Sequence, residues 1–582
     1  MTISARLMLS LMFVFFNGCQ TYIAHSILPH EGIRPAQYDV WIERDVTMTT
    51  SDNVRLVANI YHPQGEQKTP TILVRIPYSD TFKNTLGTDA VGRFWATRGY
   101  TVVIQGTRGR YKSDGRFYPL VHERRDGIET LAWLAQQAWF NGKLGMWGGS
   151  AFGHTQWVLA DQKDPGVNAF MIQIASSDFH GMFYPGGALS LESALFWAMR
   201  SRGAQDENPS LRALERGFNG FPLNQADDRA VGDIGFFNDW VSHAMRDAYW
   251  TEIDGHERAR TLQAPVLLMA GWYDPFLPTQ LKDFQIIRRE AIEPVAQATQ
   301  LIIGPWTHAD AVRFPDGSTA GDYRPASLAP SIAWFDRHLM GKNPTMVNEA
   351  PVRIYVMGIN RWRNEQEWPL ARTRFTSYYL HSAGHANSAS GDGRLTSSSP
   401  ISSEPPDRFQ YDPLHPVPSR GGAMLGPRAG MTFQNEIENR SDVLVYSTDT
   451  LEQAMEVTGP IRLVLHVATN APHTDFTAKL VDVYPDKGAY NISNGILRRA
   501  YSGEQTTEIE IELWPTSRVF DKGHQLRLEI SSSDFPRFDR NPNTGRPIPS
   551  ETESRIADQS IYHGTETPSR LILPLIPVDE KN

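Results

Sequence analysis

The segment LGMWGGSAFGHTQ, from Leu144 to Gln156, sets a serine among glycines. A short apolar run ends at Gly148-Gly149, Ser150 follows, and Gly153 opens a stretch that suits a helix. A strand running into a tight turn and then a helix is what a nucleophilic serine needs. The turn presents the hydroxyl, and small neighbours let the backbones approach. The helix start and the N–H of Ala151 would then face a developing oxyanion. The spacing is G-x-S-x-x-G rather than the generic G-x-S-x-G, and a glycine-flanked serine in an ordinary turn reads the same way.

Two later segments supply partners. VLLMA (Val266 to Ala270) runs into GWYDP, which places Asp274 just beyond an apolar run; QLII (Gln300 to Ile303) runs into GPWTH, which does the same for His308. Ser, then Asp, then His is the chain order of the α/β-hydrolase fold. A serine hydroxyl is a poor nucleophile at neutral pH, so His308 would accept its proton and return it to the leaving group. Asp274 would fix the imidazole tautomer and stabilise the imidazolium. Each residue alone could be a solvated loop residue, but their joint placement after strands speaks for a triad. His154, four residues after Ser150, reads as a packing residue, and Asp310 is a fallback acid. No His-rich or Cys/His cluster has metal-ligand spacing and no glycine-rich phosphate loop appears, so neither a metal nor another cofactor is expected.

GMWGGSAFGHTQW, GWYDPF and GPWTH, with RIPYSD (Arg75 to Asp80), resemble the X-Pro dipeptidyl-peptidase and cocaine esterase (CocE/NonD) hydrolases, which include α-amino-acid ester hydrolases. The likeness covers nearly the whole mature chain, since VTGPIRLVLHVATNAPHTDFTAKLVDVYPD and ISSSDFPRFDRNPNTG are similar to that family's C-terminal jelly roll. The resemblance implies Ser150 as nucleophile, Asp274 as acid and His308 as base. It also implies Tyr78 as second oxyanion donor beside the N–H of Ala151. By its residues alone Tyr78 would be a packing tyrosine. Two positions depart from the family: Ala151 replaces an aromatic residue, which removes bulk beside the nucleophile, and Gly106 stands where relatives carry Asp before Arg108-Gly109.

The elements that must position these residues follow the same division. VRLVANI (Val54 to Ile60) alternates as a half-buried strand, and TILVRI (Thr71 to Ile76) and YTVVIQ (Tyr100 to Gln105) read as interior strands. Between Arg125 and Trp139, Ile128, Leu131, Leu134 and Ala135 keep helical spacing. Strands alternating with helices predict a mostly parallel, doubly wound sheet over residues 38–176 and 261–347. Residues 177–260 are rich in aromatics and charges and hold no strand signal. Helices are expected near Leu189 to Arg200 and Phe236 to Tyr249, as an inserted cap over the sheet's C-terminal edge. Residues 348–582 turn all-β: IRLVLHV, FTAKLVDV, TEIEIEL and QLRLEI alternate with period two, as in a sandwich or jelly roll. The Ser/Gly/Pro-rich stretch from Ser382 to Pro406 is expected to be a long loop within that domain.

A chain of 582 residues exceeds one ordinary core. A net charge of −9 with no basic run excludes a nucleic-acid partner. Residues 1–19 form a separate segment. Arg6 precedes LMLSLMFVFF (Leu7 to Phe16), then Asn17-Gly18-Cys19. Ten helical residues would span roughly 15 Å, half a bilayer core of roughly 30 Å, so this is a signal h-region rather than a span. Cys19 is the single cysteine. Its place after Gly18 resembles a bacterial lipoprotein cleavage site, though Phe16 stands where Leu is usual; ordinary secretion is the alternative. The expectation is an exported serine hydrolase, membrane-bound only through a lipid on Cys19, acting on a small ester, amide or short peptide. An X-Pro dipeptidyl or α-amino acyl preference would need carboxylates to meet an ammonium group. The cap offers Glu192, Asp206, Glu207, Asp227, Asp228, Asp233 and Asp239. The competing reading is a surface-binding lipoprotein with an inert hydrolase core.

Overall fold

The computed structural model describes residues 33–79, 81–203, 208–343, 350–503 and 505–577. Cys19 and the expected signal segment, Asp80, Asp206 and Glu207 lie outside the described residues.

The larger α/β unit has a ten-stranded sheet built from β1 (Val40–Thr49), β2 (Arg55–Pro63), β3 (Thr69–Ile76), β4 (Thr101–Gly106), β5 (Phe140–Gly149), β6 (Ala169–Gln173), β7 (Val266–Tyr273), β8 (Gln300–Thr307), β9 (Val352–Val356) and β10 (Arg361–Glu365). Their order across the sheet is β1-β2-β4-β3-β5-β6-β7-β8-β9-β10. From β4 to β9 all neighbours are parallel, and antiparallel pairs close both edges. Continuous apolar runs make these strands because both faces are covered, and period two decides which residue goes where. Ile72, Val74, Val102, Ile104, Leu267 and Met269 face one side with Trp95 and Phe335. Leu73, Val103, Leu268 and Ile303 face the other, with Leu131, Leu281 and Phe284. Burying each such side chain contributes about 1.5–3 kcal/mol. The first side is covered by α1 (Phe82–Ala96), the second by α2 (Glu123–Ala135) and, after the elbow, α3 (Ala151–Trp157).

Two expectations change here. The strand at Val54 to Ile60 is not half-buried: every residue from Leu56 to Pro63 is buried, with Tyr61 facing one cluster and Ala58 and Ile60 the other. Its neighbour β1 pairs on the outer side, and α1 comes so close that a Cβ on Gly92 would meet the Tyr61 ring at 2.5 Å. The expected boundary at 348 likewise falls before two strands of the ten-stranded sheet. β9 lies parallel to β8, Leu301 opposite Val352 and Ile303 opposite Ile354, and β10 turns back on β9.

The cap interrupts the sheet between β6 and β7. It comprises α4 (Phe179–Phe183), α5 (Leu191–Ser201), α6 (Leu211–Phe218), α7 (Ala226–Ala230), α8 (Gly235–Ser242) and α9 (Ala248–Ile253). The helix expected over Phe236 to Tyr249 is two, because Asp247 leaves the helical conformation and its carboxylate caps the N–H of Tyr249 at 3.0 Å. The cap has an aromatic core in which Trp197 stacks on Trp240 at 5.1 Å. The sheet resumes with α10 (Leu277–Glu290), α11 (Glu293–Ala298) and the crossover helix α12 (Tyr323–Met340).

The C-terminal domain is all-β. In the strand Thr507–Phe520, Ile509, Ile511 and Leu513 enter its core while Glu508, Glu510 and Glu512 face water, as period-two alternation predicts. The Ser382–Pro406 stretch is a loop of this domain and contains the short strand Arg394–Thr396. The two domains are clamped together. The Met357 N–H donates to the Ser517 carbonyl at 3.0 Å and the Met357 carbonyl accepts from the Val519 N–H at 2.8 Å, while the Tyr273 hydroxyl donates to the Asn491 carbonyl at 2.9 Å. Among the described residues no helix is long and apolar enough to cross a membrane, and no group of three or more His, Cys, Asp or Glu is placed to hold a metal ion.

Candidate active site

Ser150 sits between β5 and α3 with φ 56° and ψ −127°, a backbone that side-chain-bearing residues rarely adopt. Such strain persists only where the surroundings impose it. Here the Ser150 N–H is held by the Gln173 carbonyl at 3.0 Å, and its carbonyl accepts from Gly153 and His154 at 2.8 and 3.1 Å. The glycine spacing has a packing cause. A Cβ on Gly153 would lie 2.5 Å from the Ala175 Cβ, so the glycine belongs where α3 crosses the end of β6. Position 152 is therefore free to be Phe, whose ring meets Tyr78 at 5.3 Å.

Asp274 and His308 arrive from the ends of β7 and β8. These strand ends converge because Gly271 admits the neighbouring chain: a Cβ there would sit 2.4 Å from the Trp306 carbonyl oxygen. The Nε2 of His308 lies 2.8 Å from the Ser150 Oγ, and its Nδ1 lies 2.6 Å from Asp274 Oδ2. Asp274 is fully buried, and its other oxygen accepts the Phe276 N–H at 2.8 Å. The carboxylate is thus fixed by the backbone and the imidazole by the carboxylate. The three residues selected from the sequence meet in one hydrogen-bonded row at the C-terminal edge of the sheet, where ligands of open α/β sheets bind.

The other candidates separate cleanly. His154 is buried against Phe179, with ring centres 4.8 Å apart, and burial pushes its imidazole down to about 3. Its backbone N–H meets the Ser150 carbonyl, but its ring packs on Phe179 and stands outside the hydrogen-bonded row. Asp310 is exposed, and its backbone rather than its carboxylate meets Thr307. Tyr78 packs against both the cap core and the sheet core and lies beside the elbow. Ala151 is buried in the same cluster as Phe179, Trp197 and Phe276. Gly106 has no room for a side chain, since a Cβ would lie 2.6 Å from both the Arg110 carbonyl oxygen and the Tyr111 Cβ.

Of the described cap carboxylates named from the sequence, all but Asp228 are committed elsewhere. Glu192 is buried at the all-β domain, accepting from Gly426 N–H at 3.4 Å. Asp227 accepts the Ile234 N–H, Asp233 pairs with Asn238, and Asp239 takes the Tyr118 hydroxyl. Asp228 is exposed.

Sequence reasoning missed three contributors. Phe276 places its ring 5.7 Å from His308, a role that GWYDPF carries without announcing. Asp283 on α10 is buried and accepts from Ser176 Oγ, Ser177 N and Ser177 Oγ at 2.8, 2.8 and 2.5 Å, which ties the first residues of the cap to the helix after Asp274. Burial pushes its carboxyl up to about 7 against those donors. Arg200 of α5 lies over the Tyr78 ring, its guanidinium carbon 5.4 Å from the ring centre.

Comparison with known proteins agrees with this architecture. Residues 52–310 match the family described as X-Pro dipeptidyl-peptidase (S15 family), and residues 345–572 match its C-terminal non-catalytic domain. The second match begins upstream of β9 and β10, which hydrogen bonding assigns to the hydrolase sheet. The chain is 36% identical to a cocaine esterase of Rhodococcus sp. (strain MB1 Bresler), over 92% of this chain and 98% of that one. Among solved structures, an α-amino acid ester hydrolase superposes with a TM-score of 0.77 at 21% identity, covering 94% of this chain and 99% of its own. An aminopeptidase from a marine sediment archaeon (Thaumarchaeota archaeon) gives 0.76 at 22%, covering 95% and 99%. At these identities the structures speak for the fold alone.

Proposed function

The chain belongs to the X-Pro dipeptidyl-peptidase (S15) and cocaine esterase family of α/β-hydrolases, a family of ester and amide hydrolases, and on that premise we propose that it is a serine acyl hydrolase working through an acyl-enzyme at Ser150. The observation that supports this reading is the Ser150–His308–Asp274 row, with contacts of 2.8 and 2.6 Å and a fully buried Asp274. Ser150 Oγ attacks the carbonyl carbon while His308 Nε2 takes its proton. The Ala151 N–H and the Tyr78 hydroxyl receive the oxyanion. Collapse expels the alcohol or amine, protonated by His308, and leaves the acyl group on Ser150. Water then attacks, losing its proton to His308, and the acid departs as Ser150 regains its own.

An ester with an aromatic group fits better than an X-Pro dipeptide. Phe276 lies against His308, Phe179 and Trp197 continue from it, and Phe152 follows Ser150 by two residues, while the described cap acids are exposed or engaged elsewhere rather than set to receive an ammonium group. A panel of aryl esters, β-lactam amides and X-Pro anilides, read beside fluorophosphonate labelling, tests the reading. Ser150→Ala should lose turnover and label, typically by 10⁴–10⁶ in rate. Tyr78→Phe should keep the label while turning over roughly 10²–10³ slower. Label persisting in Ser150→Ala would move the nucleophile elsewhere.

Export rests on Arg6, the apolar run Leu7 to Phe16 and Cys19. We place a lipid anchor on Cys19, since diacylation supplies the two chains that stable anchoring requires. Palmitate labelling and membrane fractionation should both vanish in Cys19→Ser; a mature N-terminus mapped beyond Cys19 would replace anchoring with ordinary secretion.

A further inference from the structure

Arg200 lies in the last turn of α5, on the face that covers the aromatic floor of the site. Trp197, three residues earlier and so on the same face, packs 6.1 Å from Phe179. Phe179 lies 5.3 Å from Phe276, the ring neighbour of His308. Arg200 continues that face toward the other wall. Its guanidinium stands over Tyr78, whose ring meets Phe152 two residues beyond Ser150. The cap therefore brings a permanent cation beside Tyr78, next to the aromatic cluster that adjoins His308.

The hydrogen bonds of that guanidinium are incomplete in a directed way. Nη1 donates to Asn208 Oδ1 at 3.1 Å, whereas Nε is buried and has no acceptor. Among the described residues no carboxylate pairs with Arg200. By contrast, Arg108 places its fork on Asp126 and Asp52 at 2.7 to 3.0 Å. Stacking on Tyr78 accounts for the position of the guanidinium plane and leaves the Nε–Nη2 edge unanswered. That edge is the one whose two parallel N–H vectors match a carboxylate. A buried donor left without an acceptor is costly, and a bound anion would remove the cost.

We propose that Arg200 is a specificity-determining residue that binds a carboxylate of the substrate, so that the preferred substrates are anionic aromatic esters. The proposal rests on the reading of Ser150 as nucleophile and names the substrate class of that same site. A carboxylate one aromatic ring away from the scissile carbonyl lies within the scale of the ring contacts above, on either the acyl or the leaving-group side.

Two matched pairs test it. One carries the charge in the leaving group, 4-acetoxybenzoate against neutral 4-acetoxybenzamide; the other carries it in the acyl group, phenyl 4-carboxybenzoate against phenyl 4-carbamoylbenzoate. In at least one pair the wild-type enzyme should favour the anion in kcat/KM. That anion-to-amide ratio should fall at least tenfold in Arg200→Gln, mainly through KM, and recover in part in Arg200→Lys. An equal loss on both members of a pair would mean that Arg200 merely supports Tyr78 or the helix, and the proposal would fall. A wild-type preference for the amide in both pairs would also overturn it. Absence of fluorophosphonate label at Ser150 would instead sink the hydrolase reading on which it rests.

Discussion

In the Ser150–His308–Asp274 row, the imidazole of His308 is held from one side by Asp274 and offers its other nitrogen to Ser150, so the tautomer is set by the partner at Nδ1. Asp274→Asn would present an amide that can donate to Nδ1, favouring the tautomer that cannot accept from serine. We expect a fall of about 10⁴ in kcat, as in other triads, with folding unchanged. Asp310→Asn should leave kcat close to wild type, because that carboxylate is exposed and does not reach the ring. Steady-state kinetics on one aryl ester decides the ranking, and the reverse order would transfer the acid role to Asp310. His154 offers a useful contrast. Four residues from Ser150, it is buried, and its imidazole is pushed down to about 3, so it stays neutral through the physiological range.

Local order explains what the sequence made legible among the elements. Ser150, Asp274 and His308 each follow a short apolar strand, and strand-then-residue is a contiguous pattern that survives without knowledge of the fold. The roles of Phe276, Asp283 and Arg200 depend on partners far along the chain, on His308, on Ser176 and Ser177, and on Tyr78. No local pattern names those partners. The strands β9 and β10 were hidden for a similar reason. They follow α12, a crossover helix with Pro330 inside it and no strong apolar stripe, so the switch to an all-β pattern looked complete at 348 when the sheet had two strands still to add. The glycine at 153 was legible as a motif member, but its cause was not. It is the contact between α3 and Ala175. Gly153→Ala should therefore force α3 away from β6. Overpacking of this kind typically costs about 1–3 kcal/mol, and displacement of the elbow should lower kcat as well. Denaturant unfolding with an activity assay measures both, and a variant of unchanged midpoint and rate would show that the close approach is not needed.

Across the whole molecule, α5 links the domain interface to the active site: its first turn carries Glu192 and its last turn Arg200. Glu192 is only 3% exposed. Its backbone N–H bonds the Pro536 carbonyl at 3.0 Å, its carboxylate accepts from Gly426 N–H at 3.4 Å, and the adjacent Ser193 Oγ accepts from Leu425 N–H at 3.1 Å. Burial pushes the Glu192 carboxyl up to about 7, outweighing the Gly426 N–H, the Ser193 hydroxyl and the Arg428 charge that favour its ionised form. Buried Arg537 also bears on it, and its guanidinium stacks on Trp514 and Phe538 at 4.5 and 4.9 Å. In the unfolded chain a glutamate titrates near its ordinary value of about 4.3. Between that value and about 7 the folded protein binds more protons than the unfolded one, so stability falls as pH rises through this window. Below it the group is protonated in both states and costs nothing; above it the full penalty of an ionised buried carboxylate is present. Glu192→Gln keeps the shape and the acceptor oxygen and cannot ionise. Its stability relative to wild type should thus improve progressively from pH 5 to pH 8 and level off beyond. Chemical denaturation at unit pH steps measures the difference. Parallel stability curves for the two proteins would mean that Glu192 is already ionised and compensated at low pH, and that the seam between cap and all-β domain does not respond to protons there.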